Sequence, residues 1–371
     1  MLVLNDDVLF LVCVATENID IEHQRFHGHQ HNPERPPAVL SLCMTCKRLR
    51  SVGAPLIYRK ATVCRFGKCQ LNIGGADMVA YTARQDHPHR IAEPRVVLSS
   101  IKACEPFKRY GKVFAVHLCD QLLLWDRSLS EFVSALKTTL STFPGLEELR
   151  LYGREALSFD EVCDPDSFLP RLRTLTLSDE LQTLALVFAA TITSLQITRS
   201  FTGHVKFPTT IINKGTFKHL RSLKISSHQA GGNCTPELLK SLATHCPHLA
   251  TLGTLSSARA GPPFITFLPF LARLPDLTVL AIDCFERLGT QDPPHTSDAW
   301  EQRREEQTVE VHEQKEEIVR TIAHGVFRHC RQLRTLWMLD QGRASCERHI
   351  ESCVEDVKWV PAGRPDVFWW P

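Results

Sequence analysis

The chain has no marked excess of charge of either sign. Across 371 residues, Lys and Arg number 43 and Asp and Glu 41, a formal charge of +2. Without a strong whole-molecule field, nucleic acid is not expected as the main partner. No uninterrupted apolar run reaches the length of about 18 residues that a spanning helix needs, so no membrane partner is expected either. A basic leader is also missing. The apolar run over residues 8–15 follows Asp6 and Asp7, and no small-residue cleavage site comes after it, so it reads as a buried helix. The phosphate-binding patterns G-x-G-x-x-G and G-x-x-x-x-G-K-[ST] are absent, and Gly231-Gly232 lies in a polar stretch without the remaining glycines. H-E-x-x-H and G-x-S-x-G are absent too, which removes two common hydrolase signatures. No catalytic residue, cofactor or metal is therefore assigned, and the protein is not expected to be an enzyme.

Cysteine is not scarce, but its 14 copies are scattered along a long chain. That usage suits reduced thiols in a cytoplasmic or nuclear protein. Cys43-x-x-Cys46 and Cys64-x4-Cys69 have a spacing that a zinc module can use. Buried thiols acting as small core residues are the reading adopted. His23, His27, His29 and His31 cluster in a segment that also holds Gly28, Pro33, Pro36 and Pro37. It reads as a polar loop inserted over residues 18–37.

What the chain does have is a spaced apolar phrase. L-x-x-L-x-apolar recurs at Leu146/Leu149/Leu151, Leu172/Leu175/Leu177, Ile192/Leu195/Ile197, Leu220/Leu223/Ile225, Leu249/Leu252/Thr254, Leu277/Leu280/Ile282 and Leu333/Leu336/Met338. First positions step by 26, 20, 28, 29, 28 and 56 residues, and the last step predicts a missing or degenerate copy near the polar stretch that starts at Trp300. Periods of about 20 to 29 residues are those of leucine-rich repeats. Alternation such as Leu149-Arg150-Leu151 suits a short strand with one apolar face.

Helical patterns precede several of these strands. Leu129, Phe132, Val133, Leu136 and Leu140 share a face behind a capping pair, Ser128 and Glu131. Thr235-Pro236 opens a helix carrying Leu238, Leu239 and Leu242, and Ile318, Val319, Ile322, Val326 and Phe327 form a stripe before Leu333. The stops are alike: Phe143-Pro144-Gly145-Leu146, Cys246-Pro247-His248-Leu249 and Leu274-Pro275-Asp276-Leu277, where proline disfavours helix at the residue before it. The expected fold class is α/β, a leucine-rich-repeat solenoid with a parallel concave sheet and helices on the convex side, preceded by a small α-helical module. The rival, a doubly wound nucleotide-binding fold, lacks its glycine loop.

Residues 1–60 do not follow the repeat and read as short helices, with one over residues 40–52 and a turn at Gly53-Ala54-Pro55. The run Leu42-Cys43-Met44-Thr45-Cys46-Lys47-Arg48-Leu49-Arg50, followed by Pro55-Leu56-Ile57-Tyr58-Arg59 and preceded by Leu4-Asn5-Asp6-Asp7-Val8-Leu9, resembles an F-box. Asn5 stands where that family usually has proline, and Cys46 falls where it has a cysteine in a packed helix. An F-box followed by leucine-rich repeats resembles the F-box proteins of fungi. The resemblance implies a substrate receptor that docks on a Skp-family adaptor of a cullin ubiquitin ligase and holds an unidentified target on its repeats. Leu4, Val8, Leu9, Leu42, Leu49 and Leu56 are its candidate adaptor-binding residues; each can equally serve the module's own core. The alternative is an interaction scaffold of the same fold without adaptor binding.

On the repeats, the residue between the two strand leucines faces the concave side, giving the column Arg150, Thr176, Gln196, Lys224, Gly253, Ala281 and Trp337. Tyr152, Thr198 and Asp283 border it. Arg150, Tyr152, Gln196, Lys224 and Trp337 are the candidate partner-binding residues; an aromatic such as Trp337 either anchors a partner or packs on the C-terminal tail. The expected layout is an F-box-like module over 1–60, a connecting segment and irregular first repeat over 61–112, repeats over 113–345 with a polar insert at 289–317, and an aromatic tail or cap over 346–371. The tail holds Trp359, Phe368, Trp369 and Trp370.

Overall fold

The computed structural model describes residues 5–26, 38–65, 68–73, 76–79, 94–117, 129–153, 168–198, 209–214, 217–227, 236–256, 267–282, 321–338, 342–348 and 355–361. The chain divides into two units, Met1–Leu195 with Ser200–Thr202, and Gln196–Arg199 with Gly203–Pro371. Both combine helices with parallel strands, so the class is α/β.

Unit 1 opens with helices α1 (Asp6–Phe26), α2 (Ala38–Thr45) and α3 (Lys47–Ile57). Cys13, Cys43 and Ile57 form their buried centre, with Leu40, Leu42, Leu49, Leu56 and Tyr58 packed around it. Gly53 sets how closely the helices approach: a Cβ there would lie 2.4 Å from Cys43 Sγ and 3.4 Å from Cys13 Sγ. Three expectations need correction. The expected loop from residue 18 begins later, because α1 continues to Phe26. No glycine or proline interrupts the chain before Gly28, so nothing in the backbone stops the helix sooner. Residues 27–37, with the remaining histidines, lie outside the described residues. The expected helix over 40–52 is broken at Cys46, which is exposed and has extended backbone (φ −154°, ψ 156°). Its sulfur caps α3 by accepting the Leu49 N–H at 3.3 Å, so it is not the packed cysteine expected. The turn at residues 53–55 does not form, since α3 runs through Pro55 and Tyr58 N–H closes the last turn on Ala54 O at 2.9 Å. A proline so near the helix end removes one hydrogen bond without breaking the rest.

From α3 the chain enters strand β1 (Lys60–Arg65), which pairs antiparallel with β2 (Lys68–Ile73); β2 pairs with β3 (Ala76–Val79). On its other side β1 starts a parallel ladder with β4 (Val113–His117), β5 (Glu148–Tyr152) and β6 (Thr174–Ser178). In register are Ala61, Phe114, Leu149 and Leu175, then Val63, Val116, Leu151 and Leu177, all buried. The segment before β4 thus already contributes a strand to the ladder. Helices α4 (Pro94–Ala103), α5 (Glu105–Tyr110) and α6 (Leu129–Leu140) add Leu98, Ile101, Phe107, Leu136 and Leu140 to this core. The Phe107 and Phe143 rings meet edge to face at 4.9 Å, with Phe114 6.3 and 6.2 Å from them. Gly111 lets the chain pass over this cluster; a Cβ there would come within 2.8 Å of the Phe107 ring.

The phrase before six of the strands is a repeated turn. Leu146, Leu172, Leu220, Leu249, Leu277 and Leu333 each donate their N–H to the carbonyl three residues back, at Phe143, Leu169, Phe217, Cys246, Leu274 and Cys330, all buried. A second repeated feature joins successive copies. The carbonyl two residues before the first strand apolar accepts two N–H groups of the next copy: Arg59 from Lys112 and Val113, Lys112 from Glu147 and Glu148, Glu147 from Arg173 and Thr174. Unit 2 repeats this at Arg221, Ala250 and Thr278.

Strand β7 (Ser194–Thr198) lies where the units divide, with Leu195 and Ile197 buried. Unit 2 continues with α7 (Thr209–Lys214), β8 (Ser222–Ser227), α8 (Pro236–His245), β9 (Thr251–Ser256), α9 (Leu268–Leu271), β10 (Val279–Ile282), a helix over 321–329 and β11 (Thr335–Met338). Strands β8 to β11 are parallel, with Leu223, Leu252, Leu280 and Leu336 in register. In the sheet β10 bonds β11 directly, so among the described residues no strand lies between these two copies. The inserted stretch has no L-x-x-L-x phrase to offer the core; it falls within residues 283–320, outside the described residues. The expected tail is partly sheet: β12 (Gly342–Arg348) pairs antiparallel with β11, and β13 (Glu355–Pro361) with β12. Phe368, Trp369 and Trp370 lie outside the described residues.

Candidate interaction surfaces

On the N-terminal helices the packed and open faces separate clearly. Leu42, Leu49 and Leu56 lie against the Cys13, Cys43 and Ile57 centre, and Leu9 is half-buried. Of the expected adaptor residues only Val8 stands well out, at 42% exposure; Leu4 lies outside the described residues. Three residues not expected accompany it, Leu11 at 64%, Val12 at 42% and Met44 at 65%. Val8, Leu11 and Val12 are spaced as one helical face. The signal was available in the sequence: residues 8–14 are apolar without a break, more than one buried face can use. Arg48 Nε binds Asp6 Oδ1 at 2.7 Å and ties α3 to the start of α1 beside it.

The thiols beneath do different work. Burial, and then the neighbouring Cys13, pushes the Cys43 thiol up to about 11, and its S–H donates to Leu49 O at 3.4 Å. Cys43 is therefore a protonated core group. Among the described residues no group of three or more His, Cys, Asp or Glu side chains is arranged to hold a metal ion.

The strand faces are described unit by unit. In unit 1, Arg150 and Tyr152 project from β5 with Glu148, whose Oε1 accepts from Arg150 Nε at 2.5 Å. Burial raises the Tyr152 phenol above its ordinary value. Thr176 and Ser178 on β6 are buried, and Ser178 Oγ donates to Gly153 O at 2.6 Å while accepting Gly153 N–H at 3.0 Å. In unit 2, Gln196 is half-buried on β7. Lys224, Gly253, Ala281 and Trp337 fall in one register row across β8 to β11. Lys224 and Trp337 are half-buried, and burial lowers the Lys224 ammonium below its ordinary value. Gly253 and Ala281 between them are buried, so the row is a floor of small residues with a cation at one side and an indole at the other.

No protein-family model matches the chain, and no curated protein matches it. Among the described residues no helix is long and apolar enough to cross a membrane.

Proposed function

We propose that the chain is the substrate-recognition subunit of a Skp/cullin/F-box-type ubiquitin ligase, its N-terminal helices docking on the adaptor and a leucine-rich-repeat solenoid binding the target. The observation that supports this reading is the exposed apolar face of Val8, Leu11 and Val12 on α1, with Met44 also exposed on α2, on helices packed around a buried centre ahead of the parallel ladder. The mechanism is proximity. A target held on the repeats is brought near a charged conjugating enzyme, which raises its effective concentration, and this chain makes and breaks no bond. The engagement of Leu42, Leu49 and Leu56 in the module's own core favours a second reading, an interaction scaffold without adaptor binding.

A pull-down of the full chain with purified Skp-family adaptor separates the two. The receptor reading expects capture by the wild type and loss in a Val8→Asp, Leu11→Asp variant whose thermal unfolding is unchanged. No capture of the wild type at micromolar concentrations leaves the scaffold.

A further inference from the structure

The double-acceptor carbonyls place one side chain per copy at the N-terminal rim of the strands. In unit 1 these residues are Arg59, Lys112, Glu147 and Arg173, in register on four adjacent strand entries, with Arg171 two residues before the last. Arg59, Glu147, Arg171 and Arg173 are exposed, and Lys112 is half-buried. Lys112 Nζ binds Glu147 Oε1 at 2.5 Å, and Arg59 and Arg171 act on the same carboxylate from farther off. Arg173 Nη1 reaches Thr191 O at 3.2 Å. Among the described residues of this rim one carboxylate, Glu147, thus stands with the cations Arg59, Lys112, Arg171 and Arg173, of which the first three act on it, in a chain whose formal charge is only +2. The equivalent row of unit 2 is Arg221, Ala250, Thr278 and Arg334.

We propose that this rim of unit 1 is a docking surface for an extended, acidic segment of a partner protein. Strand entries spaced about 4.8 Å apart put Arg59 and Arg173 roughly 14 Å from each other. An extended peptide rises about 3.4 Å per residue and repeats its side-chain direction every second residue, so carboxylates four positions apart reach both ends. Glu147, paired with Lys112, occupies the middle, where a continuous phosphate backbone would meet a negative charge and an acidic peptide can place a neutral residue. The proposal rests on the reading of the repeats as target-binding, and it moves the contact from the strand face to the strand entrances.

The test is the binding of a fluorescently labelled oligo-glutamate peptide to the full chain by anisotropy, with oligo-uridylate and phosphatidylserine vesicles as competitors. No adaptor is present, so a failed adaptor interaction leaves this measurement untouched, and the Val8→Asp, Leu11→Asp variant binds the peptide as the wild type does. Arg59→Glu with Arg171→Glu weakens binding about tenfold or more, and raising salt weakens it in the wild type. Glu147→Gln, which removes the carboxylate paired with Lys112, tightens binding about threefold, a direction that misfolding does not produce. Equal affinity of wild type and both rim variants overturns the proposal, as does tighter binding of oligo-uridylate or the vesicles than of the peptide.

Discussion

Leu149, Leu151, Leu175 and Leu177 of the unit 1 ladder are at most 1% exposed, whereas Val8, Leu11 and Val12 of α1 are between 42% and 64% exposed. Both segments are apolar, and what separates them is repetition. A strand with a parallel neighbour on each side inherits a ready-made surface for its leucines, and every added copy extends the same core. Three helices around Cys13, Cys43 and Ile57 have no such neighbour and leave apolar side chains over. The ladder thus buries its own leucines, whereas the helical module leaves apolar side chains of α1 in water.

The sharpest way to break this contrast is to shorten one side chain on each side of it. Leu175→Ala opens a hole in a fully buried row and is expected to cost about 2–5 kcal/mol. Leu11→Ala removes a side chain that is mostly in water and is expected to change stability by less than about 0.5 kcal/mol. Chemical denaturation of the two variants measures both, and similar losses would mean that the α1 face is packed in solution.

Inside the helical module the next largest effect is at Gly53. Gly53→Val forces a side chain into the space of Cys43 Sγ, 2.4 Å from where its Cβ would be, and is expected to destabilise the module by about 1–3 kcal/mol. A variant as stable as the wild type would show that the helices can move apart without loss, contrary to a fixed packed centre.

The same centre responds to alkali. Cys43 ionises at about 11 in the folded chain against an ordinary 9.0. A value raised by folding stabilises fully below the unfolded value and loses that contribution as pH rises toward the folded one. Stability of the module is therefore expected to decline between pH 9.0 and about 11, and Cys43→Ala to flatten that decline. Mass mapping after brief alkylation at neutral pH should find Cys46 labelled before Cys13 or Cys43, since only Cys46 of these is exposed.

The ladder was legible in the sequence because six of the copies repeat both an apolar phrase and a turn; the predicted strands at Leu149, Leu175, Leu223, Leu252, Leu280 and Leu336 all form. The helical module was less legible because its decisive features are single events. The break at Cys46 depends on a sulfur capping one N–H, and the passage through Pro55 on the chain ending its helix within a turn. Neither leaves a period to read. The exposed face of Val8, Leu11 and Val12 was hidden for another reason, since an unbroken apolar run does not say which side stays uncovered. The rim had a period, two residues before each first strand apolar, but its charges differ from copy to copy and only the register brings them together.

The smallest expected effect compares the rims of the two units. The Glu147 carboxyl is held below its ordinary range by the hydrogen bond from Lys112, burial opposing this, with Arg59 and Arg171 adding to the pull. A carboxyl lowered by folding contributes stability above its unfolded value and loses it as pH falls through the folded one. Glu147 is half exposed, so solvent screens the pair and the contribution stays below about 1 kcal/mol. Its titration by NMR is the more sensitive measure: Lys112→Met should raise the Glu147 midpoint, and Arg59→Gln should raise it less. Ala250→Glu puts a carboxylate at the equivalent place in unit 2, between Arg221 and Thr278, and should titrate closer to the ordinary value. If Lys112→Met leaves Glu147 unmoved, or the unit 2 carboxylate is held as low, the concentration of positive charge around Glu147 is not the feature that sets the first rim apart.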